Sequence, residues 1–246
     1  MALHNVVHQF AAGLNNDAGV NFPPVPFTTA GSQGWKVVYE PFERGYALAD
    51  GAKWESIVET SGTVTYGVNG VVITTNGTDN SSGFLGWTTA NLMIGAATKK
   101  FYFETSFTLT AATMASNEMY IGFSDVVAGD AITDLVNAGG TAWVSADGFG
   151  FGKLDGATEL DFITMDGGTE QTVGLSVTPT TAVRMQLGCY YDGINFNIYR
   201  DNVLLSTTAK TSLNVDTGMS LAAYCKDGAG EAQTLVTNYV LLATEL

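Results

Sequence analysis

Cysteine, histidine, proline and charge are all scarce in this chain. Its 246 residues include 2 Cys, 2 His and 5 Pro, and only 14% of them are charged. Two cysteines cannot form a disulfide framework. Cys189 and Cys225 each sit in an apolar, strand-like run, where a buried thiol is the expected state, so synthesis in a reducing cytoplasm is expected. Cations are scarcer still, 10 Lys and Arg against 24 Asp and Glu, for a formal net charge of −14. That balance leaves no basic face, and phosphates would be repelled, which excludes nucleic acid as a partner. No stretch approaches the ~18 apolar residues needed to cross a bilayer, so no membrane is expected among the partners. Met1-Ala2-Leu3-His4-Asn5 offers neither a cationic leader nor an apolar run, and Sec-type export is not expected.

What the chain does contain is apolar material (46%), 29 Gly, and many Thr, Val and aromatic residues. The apolar fraction excludes wholesale disorder, and the composition favours strands and turns over helices. Phe101, Phe103, Thr105, Phe107 and Leu109 alternate with Lys100, Tyr102, Glu104, Ser106 and Thr108, predicting a strand with one apolar and one largely polar face. Met119, Ile121 and Phe123 repeat the pattern. A hairpin is predicted from Val183 to Ile198, turning at Asp192-Gly193, and Asp201-Asn202 turns the chain again into Val203-Leu204-Leu205. Further strands are predicted at Trp35–Tyr39, Thr63–Tyr66, Val71–Thr75, Phe149–Lys153, Leu160–Met165, Met219–Lys226 and Leu235–Leu242. Turn dipeptides recur at Asn69-Gly70, Asn76-Gly77, Asp147-Gly148, Asp155-Gly156, Asp166-Gly167 and Asp227-Gly228. Many short strands without a long helix predict an all-β, antiparallel sandwich, and the absence of a regular repeat disfavours a solenoid or propeller.

Residues 1–50 read differently. Asn15-Asn16-Asp17-Ala18-Gly19 is turn-forming, and Phe22-Pro23-Pro24-Val25-Pro26-Phe27 must run extended. The division expected is an extended N-terminal arm, 1–50, followed by one sandwich domain, 51–246.

The body of the chain, from about Lys53 onward, resembles the concanavalin A-like, laminin G-like jelly rolls of tailed-bacteriophage structural proteins. The resemblance is carried by Ser61-Gly62-Thr63-Val64-Thr65 through Phe84-Leu85, by Lys99-Lys100-Phe101-Tyr102-Phe103-Glu104-Thr105, by Tyr190-Tyr191-Asp192-Gly193 through Val203, and by Ala229-Gly230-Glu231-Ala232-Gln233-Thr234-Leu235 through Val240. It implies a virion component, and the arm-plus-one-domain layout favours a head decoration or cement protein at the capsid surface. This is an analogy of fold and carries no more than that.

The sequence carries little catalytic chemistry. A Ser-His-Asp or Cys-His site needs a histidine, and the only two, His4 and His8, lie in the arm, where no third metal ligand is nearby. Glycosidases of this fold that cleave β-glucans carry Glu-x-Asp-x-Glu on one strand. Glu159-Leu160-Asp161-Phe162-Ile163 begins that pattern and breaks it at Ile163. Asp125, Asp130 and Asp134 match no calcium loop, and a solvated acidic loop is the simpler expectation. Gly148-Phe149-Gly150-Phe151-Gly152-Lys153 reads as a strand and not as a phosphate loop. No enzyme activity, cofactor or metal is expected. Trp54, Trp87, Trp143, Tyr190 and Tyr199 are either core or a sugar-stacking platform, and the sequence does not sort them.

The arm is too apolar for a solvating tail and too irregular for a core of its own. Leu3, Val6, Phe10, Phe22, Pro23, Pro24, Val25 and Phe27 are the residues expected to dock on a neighbour, proline lowering the ordering cost. The partners expected are the major capsid protein and sister copies of this chain, a trimer by analogy. The alternative is a glycan-binding receptor or adhesion module whose sandwich loops read carbohydrate.

Overall fold

The computed structural model describes residues 35–42, 54–67, 69–88, 92–126 and 135–245. The strands, in chain order, begin with β1 (Trp35–Pro41), β2 (Trp54–Glu59), β3 (Thr63–Gly67), β4 (Gly70–Thr74), β5 (Ser82–Trp87), β6 (Phe101–Thr110) and β7 (Asn117–Ser124). They continue with β8 (Gly148–Lys153), β9 (Asp161–Asp166), β10 (Thr169–Gly174), β11 (Arg184–Tyr191), β12 (Asn195–Arg200), β13 (Val203–Ala209), β14 (Ser220–Asp227) and β15 (Thr234–Glu245). Two antiparallel sheets result, and the chain is an all-β jelly-roll sandwich. The eight-stranded sheet runs β13-β12-β11-β6-β15-β4-β3, with β1 also paired to β15. The seven-stranded sheet runs β10-β9-β8-β7-β14-β5-β2.

Alternation decides which residues meet between the sheets. Phe101 and Phe103 point inward from β6, and Phe123, Phe149 and Phe151 point inward from β7 and β8. Their rings form a continuous knot: Phe103 stacks on Phe151 at 5.5 Å and meets Phe123 and Phe149 at 5.9 and 5.6 Å, while Phe101 lies 4.9 Å from Phe149. Each such aromatic pair contributes roughly 0.5–1.5 kcal/mol beyond the area it buries. Both thiols, Cys189 and Cys225, are buried and unbridged.

The hairpin at Asp192-Gly193 forms as its sequence predicts. Gly193 adopts φ 96°, and the Asp192 carboxylate accepts the N–H groups of Ile194 and Asn195 at 2.8 and 2.7 Å. The strand expected at Trp35–Tyr39 forms too, but it does not belong to a free arm. Trp35–Pro41 pairs residue for residue with Glu245–Tyr239, because β15 is long enough to carry β4 on its first half and β1 on its second. The arm residues Leu3, Val6, Phe10, Phe22, Pro23, Pro24, Val25 and Phe27 lie outside the described residues.

The polar face expected of β6 is not turned to water. Tyr102, Glu104 and Ser106 are buried, grouped with Tyr190, Tyr199, Tyr239 and Leu241 on the outer side of the eight-stranded sheet. The Glu104 carboxylate accepts the hydroxyls of Tyr102 and of Tyr239, the latter at 2.5 Å. Burial holds its pKa above the ordinary carboxylate range in spite of those donors.

The outer face of the seven-stranded sheet is also covered. Leu135, Val136 and Trp143, from the connection between β7 and β8, pack there with Phe84, Tyr120, Ile163 and Tyr224. The glycines of Gly148-Phe149-Gly150-Phe151-Gly152 make this possible. With phenylalanines inward, the glycines face outward and leave a trough in which the rings of Tyr120 and Trp143 lie 5.4 Å apart. A Cβ on Gly150 would stand 2.8 Å from the Tyr120 ring and 2.6 Å from the Ile121 carbonyl, and one on Gly152 would stand 2.7 Å from the Trp143 ring. Gly150→Ala is therefore expected to destabilise the fold by about 1–3 kcal/mol in denaturant unfolding. Gly174→Ala, whose Cβ meets only Asp161 Oδ1 at 3.8 Å, is expected to change stability far less.

Candidate functional site

Polar side chains sink into one end of the sandwich, where the loops after β4, β6, β8 and β14 meet the β7–β8 connection. The site begins with Glu118 at the start of β7, which stands directly opposite Lys226 at the end of β14. Both are buried. Glu118 Oε1 faces Lys226 Nζ at 3.3 Å, and Oε2 accepts the Tyr224 hydroxyl at 3.1 Å. Lys226 also donates to the Ala138 carbonyl at 2.8 Å, which ties the β7–β8 connection to the sheet. Gly140 lies over the carboxylate with no room for a side chain, since its Cβ would overlap Glu118.

On the inner side of the same two strands, Asn117 stands opposite Asp227. Asn117 Nδ2 donates to Gln233 Oε1 and lies 3.5 Å from the Cys225 sulfur. Gln233 Nε2 donates to the Ser116 carbonyl at 2.5 Å and to Asp227 Oδ1 at 3.4 Å, and the latter also accepts the Ala229 N–H at 2.9 Å. Nearby, the Thr113 hydroxyl donates to Glu231 Oε1 at 3.1 Å. Three oxygens of this group, Asn117 Oδ1, Asp227 Oδ2 and Glu231 Oε2, are buried with no protein donor. Buried acceptors left unpaired cost about 1–3 kcal/mol each, so this end of the molecule is short of donors.

Lys153, at the end of β8, is fully buried and gives its ammonium protons to the Leu154 and Ala157 carbonyls at 3.2 and 2.7 Å. Burial lowers its pKa to about 8, although Asp155 and Glu118 oppose that shift. Burial likewise pushes the Glu118 carboxyl up against the pull of Lys226 and Tyr224, and raises the Cys225 thiol to about 12. Desolvated ionisable groups gathered near the surface are the usual mark of a functional site. The opposite charge beside Glu118 is an ammonium. A second carboxyl, Asp155, also lies close enough to Glu118 to raise its pKa.

The residues singled out from sequence end up elsewhere. Asp125 accepts the Ser145 hydroxyl at 2.5 Å, and Asp130, Asp134, His4 and His8 lie outside the described residues. Among the described residues, no group of three or more His, Cys, Asp or Glu is arranged to hold a metal. Gly148–Lys153 is strand β8, as its alternation predicts. Asp161 opens β9, its pKa raised to about 6 by burial and then by Glu170 and Glu159, while Ile163 is buried under the β7–β8 connection. Of the candidate sugar-stacking rings, Trp54, Trp143, Tyr190 and Tyr199 are buried and Trp87 is partly so, packed against Trp54 and Phe123. Only Trp143 borders the polar end described here. Glu118, Lys226, Asn117, Asp227, Gln233 and Lys153 were not distinguished in the sequence.

No family profile matches this chain, and no curated protein matches it in sequence. Solved structures do match in fold. Peanut lectin superposes with a TM-score of 0.58 at 11% identity, covering 85% of this chain and 97% of the lectin. The endo-1,3-β-glucanase of Streptomyces sioyaensis gives 0.57 at 12% identity, covering 88% and 99%. The carbohydrate recognition domain of Emp47p gives 0.54 at 13%, covering 77% and 87%. At such identities the likeness is one of fold, the concanavalin A-like jelly roll, and lectins and hydrolases share it.

Two measurements check the electrostatics. Lys226→Met strands the buried Glu118 carboxylate and is expected to cost about 3–5 kcal/mol, whereas Glu118→Leu/Lys226→Met recovers much of that loss. Lys153 holds its proton less tightly folded (about 8) than unfolded (10.5). Between those values the unfolded chain binds the extra proton, so this residue makes stability rise with pH. Lys153→Met should abolish that rise when wild type and variant are melted side by side from pH 7 to 10. Asp161 has the opposite sign: its pKa is about 6 folded against 3.8 unfolded, so its ionisation lowers stability as pH climbs through that window. Asp161→Asn should stabilise the protein at pH 7 and not at pH 4.

Proposed function

We propose that this chain is a carbohydrate-binding module, and that the saccharide is held at the loop-bearing end where residues 136–142, 154–158 and 227–231 converge. The observation that carries the reading is the excess of acceptor oxygens there. Asn117 Oδ1, Asp227 Oδ2 and Glu231 Oε2 have no protein donor; Glu231 is the partly exposed residue where a saccharide hydroxyl would enter, with the fully buried Asn117 and Asp227 behind it. Glu118 and Lys226 pair on the outer face of the same two strands and add charged groups to this end. The fold supports the reading: a lectin and a carbohydrate recognition domain are among the chains it resembles.

A hydrolase is the rival within the same fold, represented by the glucanase and by the Crh5 transglycosylase, which superposes at a TM-score of 0.52 and 13% identity. Both Glu118 oxygens are engaged, by Lys226 and by the Tyr224 hydroxyl, which favours binding over turnover. The phage-decoration reading, with a place on the capsid surface, oligomeric assembly and docking to the capsid protein, is supported by the apolar, proline-braced arm and by the resemblance in sequence. It has its own test: deletion of residues 1–34 should abolish attachment to empty shells.

The carbohydrate reading is tested by a glycan array followed by calorimetric titration of the best ligand. Saturable binding is expected, weakened about tenfold or more by Glu231→Ala with the melting curve little changed. Absence of saturable binding to any saccharide, or turnover of the ligand that Glu118→Gln abolishes, would overturn it.

A further inference from the structure

The outermost strand of the eight-stranded sheet, β13, is the longer of that sheet's two uncharged edges, the other being β3 (Thr-Val-Thr-Tyr-Gly). Its seven residues, Val203-Leu204-Leu205-Ser206-Thr207-Thr208-Ala209, contain no charge and no proline. The edge strands of the other sheet, β2 and β10, carry Glu55, Glu59 and Glu170. Charges, prolines and bulges keep an open edge from pairing, and of these β13 carries only a bulge. A bulge between Ile198 and Tyr199 interrupts the pairing of β13 with β12, and the two-residue turn Asp201-Asn202, at φ 48° and 68°, carries the chain between them.

Exposed hydrophobic side chains concentrate at this edge. Val203 is 64% exposed, Leu204 and Leu205 are exposed as well, and Ile194, in the turn that leads into β12, is 70% exposed. The backbone is also available. Lys210 N–H donates to the Ile194 carbonyl, so by the alternation of an antiparallel ladder Thr208 and Ser206 also face β12, while Thr207 and Ala209 turn their peptide groups outward. The Ala209 carbonyl is taken by Gln171 Nε2 at 2.8 Å, which leaves the open run centred on Leu204–Thr207.

We infer that β13 pairs antiparallel with β13 of a second copy of this chain, joining two eight-stranded sheets edge to edge. A two-fold interface must be complementary to itself, and this edge is. Rotation about Ser206 brings Lys210 of one copy beside Asp201-Asn202 of the other, so the charges at the two ends of the strand are matched across the axis. The same rotation sets Val203 opposite Ala209 and Leu205 opposite Thr207 of the second copy, covering apolar surface along both strands. The pairing leaves the loop-bearing end free and does not depend on the carbohydrate reading.

Sedimentation equilibrium on the full chain tests the inference. The wild type is expected to be a dimer. Leu204→Lys and Thr207→Pro, which act on the side chains and on the open backbone respectively, are each expected to weaken dimerisation about tenfold or more. Circular dichroism should show both variants folded. Asp201→Lys is expected to weaken the dimer, and Asp201→Lys/Lys210→Asp to restore it. A monomeric wild type, a dimer indifferent to both edge variants, or an assembly that grows without limit with concentration would overturn the inference, since a two-fold contact closes at two copies.

Discussion

β14 and β15, the last two strands described, stand in the middle of both sheets. β14 is inserted between β7 and β5, and β15 between β6 and the β4–β1 side of the other sheet. Neither layer is continuous without them, so the fold cannot close on itself until the C-terminal residues are in place. Contacts such as Thr75 N–H to the Gln233 carbonyl cross most of the chain's length. Closing such distant contacts makes folding slow compared with proteins built from local pairs. The same insertion creates the polar end. Asp227 faces Asn117 and Lys226 faces Glu118 only because β14 lies beside β7, and Gln233 arrives on the short passage from β14 to β15.

The interior therefore meets two different demands. At its centre the phenylalanine knot joins the sheets through apolar area alone. At one end the chain spends scarce cations inside: Lys153 and Lys226, two of only ten Lys and Arg, are buried within a molecule of net charge −14. Burying an ion pair rarely adds stability over an apolar pair of the same shape. Together with three acceptor oxygens that the protein does not satisfy, this makes the end costly by the standards of a core and plausible as a place to receive a polar ligand.

What could be read from sequence was local. The strands of the β11–β12 hairpin, β6 and β8 announce themselves through alternation and through Asp-Gly between two alternating runs. β10 (Thr-Glu-Gln-Thr-Val-Gly) and β2 (Trp-Glu-Ser-Ile-Val-Glu) do not, because edge strands bury little and need no regular apolar period. The largely polar second face of β6 is polar but covered, and its burial was not legible for a related reason: Tyr102 and Glu104 satisfy each other, and the register with Tyr239 that completes the group lies 135 residues away from Glu104. The candidate site shares that obstacle. Glu118 and Tyr224 are 106 residues apart and Asn117 and Gln233 are 116 apart, so no spacing or motif links them. A lysine closing an apolar alternation, as Lys153 does at the end of β8, was the one signal available.

The central claim is that the donor-poor end of the sandwich receives a saccharide. Mapping amide chemical-shift changes by NMR during titration with the best-binding oligosaccharide tests it most directly. The account predicts saturable shifts confined to 136–142, 154–158 and 227–231, with Asn117 and Glu118 following. Shifts centred on the tyrosine-rich outer face of the eight-stranded sheet would contradict it.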